Sequence, residues 1–169
     1  SFLSRFYKVN DIVKVWSDKD DLTLIKIEKE INEGNYHLNY SAQVSDDLNL
    51  ISGDKKIKLD SKVYDPISAI FMLRNKPLNA GDSYKFTTVE NGIIQHVNVM
   101  VGQIEKVSVP AGSFDTRQLI PVSNDGKPLF KNDGRMKVWY SNDERHLPVK
   151  MEQKTNVGTL ILKLKQYIP

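Results

Sequence analysis

Three histidines, His37, His96 and His146, are the side chains of this sequence best able to move a proton or hold a metal ion at neutral pH. His37 and His96 fall on the polar sides of alternating segments, where neighbouring strands could bring them together. We read them instead as exposed residues of a wet sheet face. A nucleophile–base–carboxylate set is a spatial arrangement and leaves no fixed spacing. None of its local signatures is present: there is no Gly-x-Ser-x-Gly elbow, phosphate loop, His-Glu-x-x-His or Gly-x-Gly-x-x-Gly. The acidic run "DKDD", with Asp18, Asp20 and Asp21, lacks the glycine and distal glutamate of a calcium loop and reads as a solvated turn. With no cysteine there is no thiolate nucleophile, disulfide or cysteine-based zinc site. The expectation is a non-catalytic protein with no metal and no cofactor.

Two other stretches carry interaction chemistry. In "SNDERHLP", Asp143, Arg145 and His146 sit in one turn beside a strand, suited to a carboxylate–guanidinium pair or to the lining of a polar mouth. Asp65, Arg74, Asp143 and Arg145 are the expected members of an internal polar network. In "YDPISAIFMLRNKPL" (64–78), six of the seven positions from Ile67 to Leu73 are apolar. Asp65 stands where a helix N-cap should and Pro66 at the first helical position. Pro77 disfavours helical geometry at Lys76, so the helix should end near Asn75. A helix with no polar face apart from Ser68 is ordinarily buried. Plain core packing is the first expectation. The alternative is a helix over a cavity mouth, with Ile67, Ile70, Phe71 and Leu73 touching an apolar ligand. Arg74 would complement the helix dipole and could meet an anionic headgroup.

The elements that must position these residues are mostly strands. Tyr36, Leu38, Tyr40, Ala42 and Val44 alternate with His37, Asn39, Ser41 and Gln43. Ile25, Ile27 and Ile31 alternate in the same way with Lys26, Glu28 and Glu30, and Glu33-Gly34-Asn35 turns one run into the other. "LNLISGDKKIKLD" (48–60) should turn at Ser52-Gly53-Asp54. Asn91-Gly92 should join "SYKFTTVE" to "IIQHVNVMV" by a type I′ turn. Pro110-Ala111-Gly112 marks the bend before "FDTRQLIPV", and Asn-Asp-Gly turns at 124–126 and 132–134 enclose "KPLFK". "RMKVWYS", "LPVKMEQK" and "GTLILKLKQYI" follow. A second helix is predicted over "NDIVKVWSD", from Ile12, Val13 and Trp16 at helical spacing with Asn10 as its cap. The fold expected is mainly β: an antiparallel barrel or half-barrel, alternatively a β-sandwich, with two short helices in a single domain over 1–169.

Composition bounds the partners. The chain has 169 residues, 27% charged and 40% apolar, which suits a folded domain able to bury its own core. A net charge of +3 without clustering does not point to nucleic acid. No apolar run approaches the roughly 20 residues of a transmembrane helix. The alternating lysines of "KKIKLD" and "LKLKQY" keep sheet edges soluble rather than marking a polyanion surface. The absence of cysteine fits an exported bacterial protein. The opening Ser-Phe-Leu, in place of Met, suggests that something precedes Ser1 in the gene product, a removed signal peptide being one candidate.

In "DPISAIFMLR" (65–74) followed by "LNAGDSY", then "VPAGSFDT" (109–116), "VWYSNDERHLPVKME" (138–152) and "GTLILKL" (158–164), the chain resembles a family of bacterial exported proteins catalogued as domain of unknown function 3108. These pieces occur in the family's order and cover roughly the last hundred residues. The first sixty match loosely, through Asp11, Ser17, Asp20 and Thr23. The resemblance implies a periplasmic or envelope setting, mostly antiparallel β architecture and no established chemistry. The shape is similar to the half-barrels of periplasmic lipoprotein carriers, an analogy of fold alone. Family members begin with extra strands, so the resemblance implies a chain lacking N-terminal strands, with one sheet edge open to self-association or to an envelope protein. The functions expected are binding of a lipid-like or other apolar molecule, or a structural role in an envelope assembly; a hydrolase ranks behind both.

Overall fold

The structure, a computed structural model, describes residues 10–129, 135–155 and 158–168. Among these residues there are eleven strands and one helix, so the mainly antiparallel β expectation holds. The strands are β1 (Ile12–Ser17), β2 (Leu24–Glu33), β3 (Tyr36–Val44), β4 (Asn49–Ser52), β5 (Lys55–Lys58), β6 (Ser83–Glu90), β7 (Ile93–Val109), β8 (Gly112–Ser123), β9 (Met136–Ser141), β10 (Pro148–Thr155) and β11 (Gly158–Lys163). Helix α1 spans Pro66–Leu73. They form two meanders, a five-stranded sheet in the order β1-β2-β3-β4-β5 and a six-stranded sheet in the order β11-β10-β9-β8-β7-β6. Among the described residues neither sheet closes on itself.

The chain divides into two compact units, Ser1–Ala69 with Thr87–Ile94, and Ile70–Phe86 with Gln95–Pro169. In the first unit, Leu24, Ile27, Ala42, Leu50, Leu59, Val63 and Val89 form a buried cluster, flanked by Val15, Tyr40, Ile57 and Ile94. Val89 and Ile94 come from the tip of the β6–β7 hairpin. That tip is bound into the unit by the Tyr64 N–H to the Thr87 carbonyl (2.9 Å) and the Val89 N–H to the Tyr64 carbonyl (2.8 Å). Its turn is Asn91-Gly92, with φ of +50° and +78°, as a type I′ turn requires. The hairpins turning at Gly34-Asn35 and Gly53-Asp54 also form where the sequence places them.

In the second unit, Val107, Trp139, Leu147 and Val149 pack with Val109, Phe114 and Leu164. Val97, Val99 and Val101 share a buried face of β7. Just beyond them the β7–β8 register slips between Val101 and Ile104. Gly102 stands at this bulge because a Cβ there would lie 3.0 Å from the Gln118 carbonyl oxygen. The indole N–H of buried Trp139 donates to Glu105, and the Lys150 ammonium lies 4.4 Å from the centre of its ring. The first Asn-Asp-Gly turn follows β8, with Gly126 at φ +78°; the second, at 132–134, lies outside the described residues.

Three expectations need correction. The stretch predicted as the first helix is strand β1. Its β-branched Ile12, Val13 and Val15 favour extended backbone, and β2 supplies a complete ladder that a helix this short could not replace. Asn10 caps nothing; its N–H extends the ladder to the Asn32 carbonyl at 2.9 Å. Ile25 and Ile27 do not share a face. Trp16 pairs with Lys26 but Ser17 pairs with Leu24, so Ile25 is the extra residue of a bulge: it is exposed while Leu24 and Ile27 are buried. Finally, α1 is not buried on all sides. Ser68, Ala69, Met72 and Leu73 are buried, whereas Ile67 and Phe71, one turn apart, are 46% and 44% exposed.

The start of α1 is built as the sequence suggests. The Asp65 carboxylate accepts the N–H groups of Ile67 (2.8 Å) and Ser68 (3.2 Å), and the Ser68 hydroxyl accepts the Asp65 N–H (3.2 Å). This is a capping box with serine in the position usually taken by glutamate. Asp65 and Ser68 are buried, so loss of the carboxylate would leave the Ser68 N–H without an acceptor. Asp65→Ala should lower the unfolding free energy by about 1–2 kcal/mol, read as a reduced urea midpoint at unchanged slope. Asp65→Asn, which keeps an acceptor, should lose less.

Candidate functional site

The residues singled out at the far end of α1 and in "SNDERHLP" meet within the second unit. The loop between β9 and β10 is folded by Asp143. Its carboxylate accepts the Ser141 hydroxyl (2.8 Å), the Arg145 N–H (3.1 Å) and the Arg145 guanidinium through Nε (3.0 Å) and Nη2. The Ser141 oxygen also accepts the Leu147 N–H at 2.8 Å. These bonds hold His146 in a left-handed conformation, φ +42°.

From that loop two contacts reach the helix end. Arg74 donates through Nε and Nη2 to the Arg145 carbonyl, both at 3.2 Å. The His146 ring donates through Nδ1 to the Arg74 carbonyl at 2.9 Å; a carbonyl can only accept, so Nδ1 carries the proton. Buried Tyr140 on β9 donates its hydroxyl to the Ile70 carbonyl at 3.0 Å. Two carbonyls that the helix leaves unpaired at its C-terminus are thus satisfied by side chains. The Arg74 guanidinium lies 5.9 Å from the Phe71 ring centre, and that of Arg145 lies 5.6 Å from the Tyr167 ring centre.

Beside Arg145 a groove of about 400 Å3 opens between the β7–β8 turn and the C-terminal segment. Pro110, Ala111, Phe114 and Leu147 supply apolar surface, and Arg145, Lys165, Gln166 and Tyr167 the rest. Its wall is fixed by backbone: the Ala111 N–H bonds to the Leu164 carbonyl (3.1 Å), and the Leu164 N–H to the Val149 carbonyl (2.8 Å). Arg145 is neutralised by Asp143, whereas Lys165 forms no ion pair with any described residue. The groove therefore joins an apolar, aromatic wall to an uncompensated cation, an arrangement suited to an amphipathic anion.

The expected site residues are placed as follows. Arg74, Asp143, Arg145 and His146 are brought together. Asp65 serves the helix N-terminus. Ile67 and Phe71 are exposed, Ile70 is half-buried and Leu73 is buried. Phe114 and Tyr167 carry no local pattern that links them, and Lys165 reads from sequence as one of the alternating lysines of "LKLKQY" that keep sheet edges soluble; the fold places all three on one groove. The remaining histidines lie elsewhere: His37 is exposed with its Nδ1 2.8 Å from Asn32 Oδ1, and His96 is exposed on β7. The "DKDD" run is a turn in which Asp18 accepts the Asp20 and Asp21 N–H groups, and Lys62 draws the Asp21 carboxyl down to about 2. Among the described residues no three His, Asp or Glu side chains gather as a metal ion would need.

Arg145 holds the Asp143 carboxyl below its ordinary range, and Asp143 in turn raises Arg145. A lowered folded-state pKa adds stability above the unfolded-state value near 4, and that contribution is lost as pH falls through the folded value. The pair is about half exposed, so solvent screening keeps the contribution small. Asp143→Asn should be less stable than the parent at pH 7. The difference between the two denaturation curves should start to shrink as pH falls through about 4 and vanish only once the folded-state Asp143 carboxyl is protonated, further down.

The model of the family described as "Protein of unknown function (DUF3108)" matches residues 1–165, so the likeness extends through the first sixty residues as well as the last hundred. No curated protein matches. No solved structure matches. With nearly its whole length matched, this chain belongs to the DUF3108 family.

Proposed function

We propose that this protein is a non-catalytic component of the bacterial cell envelope that binds an amphipathic, lipid-like ligand in the groove of its second unit. One observation carries the reading: Phe114, Leu147 and Tyr167 line the same groove as Lys165, whose charge is uncompensated. At about 400 Å3 the groove is near the small end of ligand sites, enough for an anionic group and part of one acyl chain. Exposed Phe71, with Arg74 over its ring, continues the pairing of aromatic and cation next to Arg145. The envelope setting is supported by the family resemblance and by a cysteine-free composition.

Calorimetric titration with decanoate and with decanol tests the reading. Decanoate should bind more tightly, and Lys165→Gln should weaken it roughly 10-fold or more, the usual worth of a hydrogen bond to a charged group. Decanol binding should hardly change. Equal decanoate affinity in parent and variant would remove the groove from consideration.

A second reading, an interaction domain of an envelope assembly, is favoured by β11. All six of its residues are exposed, Leu160, Ile161 and Leu162 among them, and it ends the order of its sheet. An exposed apolar edge strand is a template for pairing with another strand. Light scattering should then detect concentration-dependent association that Ile161→Lys abolishes. A parent that stays monomeric throughout, with no protein co-purifying, would dismiss this second role.

A further inference from the structure

The first unit has a pocket of its own, of about 350 Å3, lined by Tyr40, Leu50, Ser52, Lys55, Ile57 and the Asn91-Gly92 turn. Its floor is apolar: Leu50 is buried and Ile57 half-buried, both packed in the unit's core. The Tyr40 hydroxyl is buried yet has no hydrogen-bond partner, the only such side-chain atom among the described residues. A buried phenol without an acceptor costs stability, so it calls for an explanation. Burial pushes its pKa up, which keeps it a donor at neutral pH. The nearby Ser52 hydroxyl and Gly92 amide offset part of that push, though neither reaches hydrogen-bonding geometry. The Ser52 hydroxyl already donates to the Ser41 carbonyl at 2.7 Å. Gly92 borders the hydroxyl closely: a Cβ there would touch it at 3.8 Å.

The charges around the pocket favour an anion. Lys55 is exposed and pairs with no carboxylate among the described residues. Lys29, opposite Tyr40 in the β2–β3 register, is held by the Asn91 Oδ1 (3.1 Å) and by Glu90 (3.6 Å). The Asn91 carbonyl oxygen is thereby occupied, leaving its amide N–H groups to donate. No carboxylate lines the pocket. The Tyr40 hydroxyl and the Lys55 ammonium face an apolar floor with no carboxylate and only the Ser52 oxygen as a neutral side-chain acceptor beside them, leaving one unmatched positive charge. A single negative charge on a compact apolar body suits that balance better than a doubly charged phosphate, which would also meet Glu90 close by.

We infer that this pocket is a second ligand site, independent of the groove in the other unit, and that it binds a small apolar carboxylate whose oxygen accepts the Tyr40 hydroxyl while Lys55 meets its charge. Phenylacetate, with 2-phenylethanol and inorganic phosphate as controls, tests this by calorimetry and by crystallography of the soaked protein. Phenylacetate should bind best of the three. Tyr40→Phe should weaken it roughly 10-fold or more, while the ligand-free variant stays at least as stable as the parent, because an unpartnered hydroxyl has been removed. Lys55→Gln should weaken phenylacetate but not 2-phenylethanol. Unchanged phenylacetate affinity in Tyr40→Phe would overturn the inference. So would phosphate binding more tightly than phenylacetate, or an ordered water alone on the Tyr40 hydroxyl in crystals soaked with phenylacetate.

Discussion

A helix of eight residues cannot stand alone in water, and the ends of α1 carry N–H and C=O groups that no bond within the helix satisfies. Side chains must satisfy those ends. At the start, Asp65 and Ser68 exchange bonds with each other's N–H groups. At the finish, Tyr140 and His146 donate to the carbonyls of Ile70 and Arg74. The second requirement has the larger structural consequence. To aim the His146 ring at the helix end, the β9–β10 loop takes a left-handed turn that Asp143 and Ser141 stabilise, and the same turn sets Arg145 beside the groove. The polar residues near the candidate site are therefore scaffolding first. Lys165, outside this network, is the cation left to act on a ligand.

Each unit repeats one design on a small scale. A meander with short turns buries one row of side chains and leaves, at a turn, a concavity with apolar walls and a few donors. In the first unit the turn is Asn91-Gly92 and the donor is Tyr40; in the second it is Pro110-Ala111 and the donors are Lys165 and Gln166. Both concavities lack an uncompensated carboxylate. The anions proposed for the two differ in the shape of the apolar part.

The hairpins were legible because turn chemistry is local. Asn-Gly, Gly-Asn and Gly-Asp permit the backbone angles of tight turns, and alternating apolar residues set the register around them. The helix start was legible for the same reason, since Asp65, Pro66 and Ser68 act within one turn. The first strand was misread because Ile12, Val13 and Trp16 fit a helical spacing by coincidence; its six residues are decided by the ladder that β2 offers. The faces of Ile25 and Ile27 were misread because one bulge residue inverts the alternation, and no sequence signal marks it. For α1, an apolar composition predicts burial on all sides, but only the Ser68, Ala69, Met72 and Leu73 side chains are covered, and Ile67 and Phe71 stay exposed.

By itself, then, the sequence determined the β character, most of the turns and the capped helix, because each depends on neighbours a few positions away. Tertiary structure alone decided that neither sheet closes, that Arg74, Arg145 and His146 form one clamp, and that Phe114 and Tyr167 share a groove with Lys165. It also decided that the Tyr40 hydroxyl is buried without a partner. Those outcomes depend on strand register and on where each ladder stops, and register couples residues dozens of positions apart through backbone bonds that carry no side-chain signature.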